Sequence, residues 1–449
     1  MTKGAPAPDP QMRQTKQLRV HLPAEVRGVS RAMSEFTDMS ICLVGINLAP
    51  ETTGIAPYTT AMAHTLAQAG ASVHVVTGIP HYPQWTISDT RYRSGRIWRE
   101  ELDGIRVTRC RHHVPAQPDL IGRARLEGSF LARARGVVRA DRSDIVIAVT
   151  PSLSGLAAAV SGRRGRPLGA LVQDLTGNAA GQSGTTSGRV GQTIGRAEYS
   201  LLRQCDQVGV ITPRFADVIA ENGVDAARIV DLPNFTHIAP VSASIAQARR
   251  RLGWAEDRFT VIHTGNMGRK QGLESVVGAA SAAHHRGLPI DFVLVGDGNQ
   301  RQELELAARG NPNLRFVDPL DTDDYPYALA AADVLLLNER SGVREMSLPS
   351  KLTSYSVAGR PIVAAVEPGG ITHEVLSVDR SAHFVDPGDP GALLDAVDQL
   401  RLSEPLRTEF AAKAKQLHED RYGKVAAEAR YRDFARRLLH APVMSAIAS

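Results

Sequence analysis

A chain of 449 residues, 43% hydrophobic and 22% charged, is too long for one ordinary core and too evenly mixed for a fibrous or disordered protein. Its formal net charge is only +5, and no apolar run reaches the roughly 18 residues that a membrane-spanning helix requires. The three cysteines, Cys42, Cys110 and Cys205, lie far apart without metal-ligand spacing, and the first residues contain no apolar signal-peptide core. Small buried hydrophobes in a reducing compartment, and hence a cytoplasmic location, are the expectation.

Residues 1–38 are polar and aperiodic and read as a disordered tail. Order is expected from Met39, where SICLVGI reads as a buried parallel strand. A Gly/Pro loop, a helical pattern from Tyr58 to Ala69 closed by Gly70, and the strand SVHVVTG complete a βαβ unit. DIVIAVT, LGALVQD, a long helix near 189–204, QVGVIT and RIVDLP continue the alternation to residue 235. Residues 236–255 read as a linker with a short helix. The same grammar then restarts with FTVIHTG, a helix from Leu273 to Arg286, IDFVLVGDG, LRFVDP, DVLLLN and RPIVAAV. The pattern predicts two doubly wound, Rossmann-like domains, 39–235 and 236–419. An amphipathic helix at about Val425–Leu439, within 420–440, is expected to return to the first domain.

Thirteen arginines fall between Arg91 and Arg142. No base-stacking motif accompanies them, so nucleic acid is not the expected partner; anionic lipid or a phosphorylated acceptor suits them, as does a plain solvated face. In IGRARLEGSFLARARGVVRADR (121–142), Ile121, Leu126, Phe130, Leu131, Val137 and Val138 are spaced among arginines. A helix there either dips its apolar residues into a headgroup layer or turns them to the core.

The loop GINLAPETTGIAPY (45–58) joins the first strand to the first helix, and its Gly45 and Gly54 permit close backbone approach to an anion or a tight turn. Lysine is scarce, seven against 45 arginines, yet Lys270 follows a second-domain strand in GNMGRKQG and Lys351 opens a helix in LPSKL. A flexible ammonium suits a diphosphate, and both positions lie where backbone amides would face one. Asp174, at a first-domain strand end, reads either as a polar contact that orients reacting groups or as a helix cap. His81, Tyr82 and Trp85 form an aromatic loop suited to a sugar acceptor or to anchoring the loop. His112, His113, His284 and His285 lack a metal-binding context and read as surface residues.

From Met39 to about Leu439 the chain resembles the retaining family-four glycosyltransferases of GT-B fold, and among them those of colanic-acid and related exopolysaccharide synthesis. The residues that carry the resemblance are PETTGIAPY, HYPQW, QDL, LPNF, GNMGRKQGLE, VGDG, LPSKL and AGRPIVA, in that order. The resemblance implies two domains facing across a cleft and a nucleotide-diphosphate sugar as substrate, with no cofactor; with Lys270 and Lys351 at the phosphates and no clustered carboxylate pair or DxD-like motif read in the chain, a metal-free step is expected. It places Gly265, Asn266 and Lys270 near the donor diphosphate, with Ser350 and Lys351 in the same pocket, and Gly296 and Gly298 on its nucleotide side. A glycan or lipid-linked saccharide is the implied acceptor, reached from the cytoplasm or from the inner face of the membrane. Two departures stand out. Asn266 replaces the commoner Arg, and Met346 and Ser354 occupy the places of a glutamate pair, the second of which binds the donor ribose. The latter leaves carboxylate recognition of ribose open. A nucleotide-sugar epimerase of the same scaffold and a catalytically silent partner subunit are the competing expectations.

Overall fold

The computed structural model describes residues 35–116, 119–175, 188–344 and 349–440. The first sheet contains β1 (Ser40–Val44), β2 (Ser72–Gly78), β3 (Ile97–Leu102), β4 (Ile105–Cys110), β5 (Ile145–Val149), β6 (Leu168–Val172), β7 (Gln207–Val210) and β8 (Ile229–Asp231). Their spatial order is 3-4-2-1-5-6-7-8, parallel throughout except where β3 pairs antiparallel with β4. The second sheet, wholly parallel, contains β9 (Phe259–Thr264), β10 (Ile290–Val295), β11 (Leu314–Val317), β12 (Val334–Asn338), β13 (Ile362–Ala365) and β14 (His383–Val385), in the order 11-10-9-12-13-14. Central strands such as β5, buried at every residue, are apolar on both sides because helices cover both sheet faces. In each domain the winding reverses beside the first strand, between β1 and β5 and between β9 and β12. A crevice opens there at the carboxyl ends of the strands.

The helix Lys424–His440 crosses back as expected and sinks Ala427, Tyr431, Phe434, Ala435 and Leu438 into the first-domain core. Arg421 pairs with Asp231 at 2.9 Å just before it, which ties the crossing to the end of the first sheet.

Two readings need correction, and one open choice is decided by packing. The ordered chain starts before Met39: Phe36 is buried among Ile41, Val73 and Leu438, its amide donates to Ala69 O at 2.9 Å, and Glu35 pairs with Arg436. One aromatic ring, too little to give periodicity, anchors the end of the tail; residues 1–34 lie outside the described residues. The hairpin β3–β4 was not foreseen, because IWREEL is an edge strand whose side chains are all exposed or half-buried. Finally, the helix Leu120–Ala140 turns Leu126, Phe130, Ala134 and Val138 into the core, with Leu131 and Val137 packed against them. Of its large apolar residues only Leu120 and Ile121 are exposed, so the stripe serves packing rather than insertion into lipid. Among the described residues no helix is long and apolar enough to cross a membrane.

Candidate active site

The second-domain crevice forms where β9 ends. Gly265 follows with φ +104°, and the ammonium of Lys351 lies 3.9 Å from where a Cβ on Gly265 would stand. Lys351 reaches this point from the first residue of the helix Lys351–Val357. Its Nζ donates to His263 Nε2 at 2.8 Å, inside β9. The other ring nitrogen, Nδ1, lies 3.1 Å from Leu336 O on β12, so Nδ1 carries the proton and Nε2 accepts. Burial holds His263 well below its ordinary pKa and therefore neutral, with the Lys351 charge acting in the same direction. Burial also lowers Lys351 from 10.5 to about 7, partly offset by the carboxylate of Glu339 at the end of β12. An amine that charges near neutrality is thus seated at the switch point.

Behind Lys351 runs a hydroxyl network. Tyr355 Oη accepts from Thr264 N at 2.8 Å, and Tyr325 Oη lies 3.0 Å from Thr264 Oγ1 and 3.1 Å from Ser354 Oγ. Ser354 also donates to Lys351 O at 3.0 Å and is buried. Ser354, expected where the resemblance places a ribose-binding glutamate, therefore braces the Lys351 backbone. Its predecessor in the pair, Met346, and Glu345 lie outside the described residues.

The loop after β9, where donor-site residues were expected, packs against the loop after β10. Gly296 has φ +138°, and a Cβ there would stand 2.0 Å from Gly265 O; at Gly298 it would stand 2.6 Å from Asn266 Oδ1 and Met267 O. Both glycines let the loops after β9 and β10 lie against each other, joined by Met267 N to Asp297 O at 2.8 Å. Loop packing thus occupies the room expected to stay open to a nucleotide at these two positions. Lys270, Asn266 and Ser350 are exposed, and Lys270 O accepts from Arg340 N at 2.8 Å, so the lysine's backbone is fixed to the end of β12.

In the first domain, a Cβ at Gly45, just after β1, would meet only ordinary contacts, whereas at Gly54 (φ +64°) it would stand 3.1 Å from the Tyr82 ring. Glu51, which sequence reasoning did not single out, joins the two loops. Its Oε1 accepts from the amides of His81 and Tyr82, both at 2.8 Å, and its Oε2 from Asn47 Nδ2 at 2.8 Å. Arg109, itself paired with Glu100 at 2.9 Å, donates to Ala49 O at 2.6 Å and fixes the same loop. His81 is buried against His112, with ring centroids 4.6 Å apart, and is the loop's anchor. Tyr82 and Trp85 are half-buried, with Trp85 packed against the first-domain core. His112, expected at the surface, is buried as well, and that burial, aided by His81, lowers its pKa to about 4. No spacing rule betrays Glu51 or His112; they acquire their roles only when the loops meet.

Asp174 sits two residues beyond β6, half-buried, and accepts from Leu175 N at 2.8 Å; residues 176–187 lie outside the described residues. The two domains touch at Ile371, which opens the helix Ile371–Ser377 and is buried in the first-domain cluster of Val44, Ile46 and Phe130. The adjacent Thr372 donates to Glu339 Oε1 at 2.7 Å. The loop contacts of both crevices are thereby linked across the domain boundary. A DxD-like run, Asp321–Asp324, escaped the sequence reading. Asp321 Oδ1 accepts from the amides of Asp323 and Asp324 at 3.1 and 2.8 Å, and Asp324 pairs with Arg251 at 2.9 Å, so the run forms a capped turn.

Two Rossmann-type parallel-sheet domains with their strand ends linked across a cleft define the GT-B fold. The "Glycosyl transferase 4-like domain" family profile matches residues 53–235, and the "Glycosyl transferases group 1" profile matches 258–402. The colanic acid biosynthesis glycosyl transferase WcaI of Escherichia coli K12 is 34% identical over 383 residues, covering 81% of this chain and 92% of the relative. The 2-deoxystreptamine glucosyltransferase of Streptomyces kanamyceticus is 30% identical over 45% of this chain and 53% of its own length. Among solved structures, Anabaena HepE in complex with UDP superposes with a TM-score of 0.64 at 16% identity, covering 89% of this chain and all (100%) of that one. Sucrose-phosphate synthase from Thermosynechococcus elongatus gives 0.67 at 16% identity, over 90% and 100%. The chain belongs to the family-four GT-B glycosyltransferases.

Proposed function

We propose that the protein is a retaining hexosyltransferase that moves a sugar from a nucleotide-diphosphate donor to a glycan or lipid-linked saccharide in exopolysaccharide or cell-surface glycan synthesis. The observation that carries the reading is the placement of Lys351 Nζ, held by His263 at 2.8 Å and standing beside the bare backbone of Gly265. A diphosphate laid over Gly265 meets that ammonium, with exposed Lys270 five residues further along the same loop. As the glycosidic bond to the donor breaks, negative charge grows on the leaving phosphate. Lys351 and Lys270 stabilise it electrostatically, so we assign the step no metal ion. The acceptor hydroxyl approaches from the first-domain side, over Tyr82 and Trp85, attacks the same face of the sugar that the phosphate leaves, and gives up its proton to the departing phosphate oxygen. Asp174 orients the reacting groups. The likeness to WcaI supports the glycan context, and the HepE complexes with UDP and UDP-glucose make a uridine donor the first to try.

The test is turnover of a panel of nucleotide sugars by purified protein, with and without chelator, reading nucleoside diphosphate release and the anomeric configuration of the product. Release that survives chelation, with the donor's configuration kept, is the expected outcome. An inverted product refutes retention, loss of activity with chelator refutes metal independence, and a folded protein that turns over no donor is the silent-partner alternative.

A further inference from the structure

A groove of about 590 Å³ runs between the β3–β4 hairpin and the second half of the helix Leu120–Ala140. Arg99 enters it from β3, Arg106 from β4, Arg133 from the helix, and Arg142 from just beyond the helix, while His74 and Thr108 line its floor. The cross-strand register places Arg99 opposite Thr108, so these hairpin side chains share the face that looks toward the helix. Four arginines, from two strands, the helix and the loop after it, line one groove, and none of them makes an ion pair among the described residues; Arg133 donates to Ser129 O at 3.0 Å. Two acids border these four arginines: Glu101, exposed across the strand register from Arg106, and Asp141, which lines the groove and is engaged elsewhere. Asp141 accepts from His74 Nδ1 at 2.7 Å and from Arg166 Nη1 at 3.0 Å, which leaves the groove a surplus of positive charge. Arginine on an edge strand also discourages pairing with other chains, but Arg106, Arg133 and Arg142 are not on the edge.

This place is not the transfer cleft. Ser40, at the groove, opens β1, while Gly45 follows the end of that strand, so five residues of extended chain, roughly 16 Å, separate the two. The groove also has an apolar side in Val137 and Ile97, the latter 42% exposed. Guanidinium forks beside an apolar wall fit a phosphate ester whose organic part is hydrophobic or neutral. We infer that the groove is a second anion site, one that binds a phosphate monoester or diester outside the transfer cleft. Such a group is carried both by an anionic membrane lipid and by a soluble phosphorylated saccharide.

Arg99→Gln with Arg106→Gln removes two of the charges from solvent-exposed strand positions and leaves the core unchanged. Arg286→Gln with Arg309→Gln, on the second domain, is the charge-matched control. Two probes separate the sources: flotation with phosphatidylcholine vesicles with and without phosphatidylglycerol, and calorimetric titration with glycerol 3-phosphate while UDP occupies the cleft. Loss of two charge-assisted contacts weakens binding by at least about tenfold in the groove variant and hardly at all in the control. Loss of both vesicle and glycerol phosphate binding supports the site and names a membrane as its source. Glycerol phosphate binding that is lost in the variant, with no vesicle binding by the parent, supports the site for a soluble phosphate. A groove variant that binds both probes as the parent does, or a parent that binds neither, overturns the inference. UDP affinity, read separately in every variant, reports on the cleft, so failure of the donor reading cannot be mistaken for failure of the groove.

Discussion

Lys351 gives the sharpest test of the cleft, because its charge is predicted to depend on pH in the range where an enzyme works. Burial brings it to about 7 from 10.5, so in the unliganded protein it is half charged near pH 7. A bound diphosphate favours the ammonium and raises that pKa, so binding takes up a proton. Affinity is then complete below the free-state value and is lost as pH rises through it toward the bound-state value. From pH 7 to about pH 9 most of that charge is lost, so affinity should drop by more than about tenfold, on the order of 2 kcal/mol. The terminal phosphate of the ligand ionises near pH 6, below that window, and does not produce the slope. Calorimetric titration with UDP from pH 7 to 9, in two buffers of different ionisation enthalpy, reads both the affinity and the proton taken up. Lys351→Gln should bind weakly with a flat profile. An affinity in the parent that changes by less than about twofold over the range, or the same slope in Lys351→Gln, refutes the placement of a titrating ammonium at the diphosphate.

The geometry sets three further outcomes. Gly296→Ala forces a Cβ to within 2.0 Å of Gly265 O at φ +138° and should cost about 3 kcal/mol or more in thermal or denaturant unfolding, whereas Gly54→Ala, against the Tyr82 ring edge at 3.1 Å, should cost about 1 kcal/mol. A chain beginning at Met39 loses the buried Phe36 ring and should be about 2–3 kcal/mol less stable than one beginning at Glu35; equal melting of the two would show that the ring contributes nothing. Glu51→Gln removes a carboxylate that two backbone amides share, so the apparent KM for acceptor should rise about tenfold while UDP affinity stays the same; equal KM values would separate Glu51 from acceptor binding.

The sequence by itself determined the architecture. Apolar runs such as IVIAV and FTVIHT, separated by helical periods and glycine turns, dictate parallel strands buried on both faces, and two successive sets of them dictate two wound domains. The scarcity of lysine, together with the motifs around it, was enough to mark Lys270 and Lys351. Local pattern also carried the helix at Leu120–Ala140 but not the direction of its apolar stripe, because a stripe facing lipid and one facing a core have the same period. Only the tertiary structure decided what charge Lys351 carries, since its partner His263 is 88 residues away and both are tuned by burial, which no spacing encodes. The same holds for Glu51, whose carboxylate becomes a loop clasp only after the amides of His81 and Tyr82, some 30 residues on, are brought to it. Ser354 and Gly296 complete the case: one braces the backbone of Lys351 and the other admits a neighbouring carbonyl. A buried polar group must be satisfied by whatever the fold brings near it, so its role is fixed by long-range packing and not by the residues beside it in the chain.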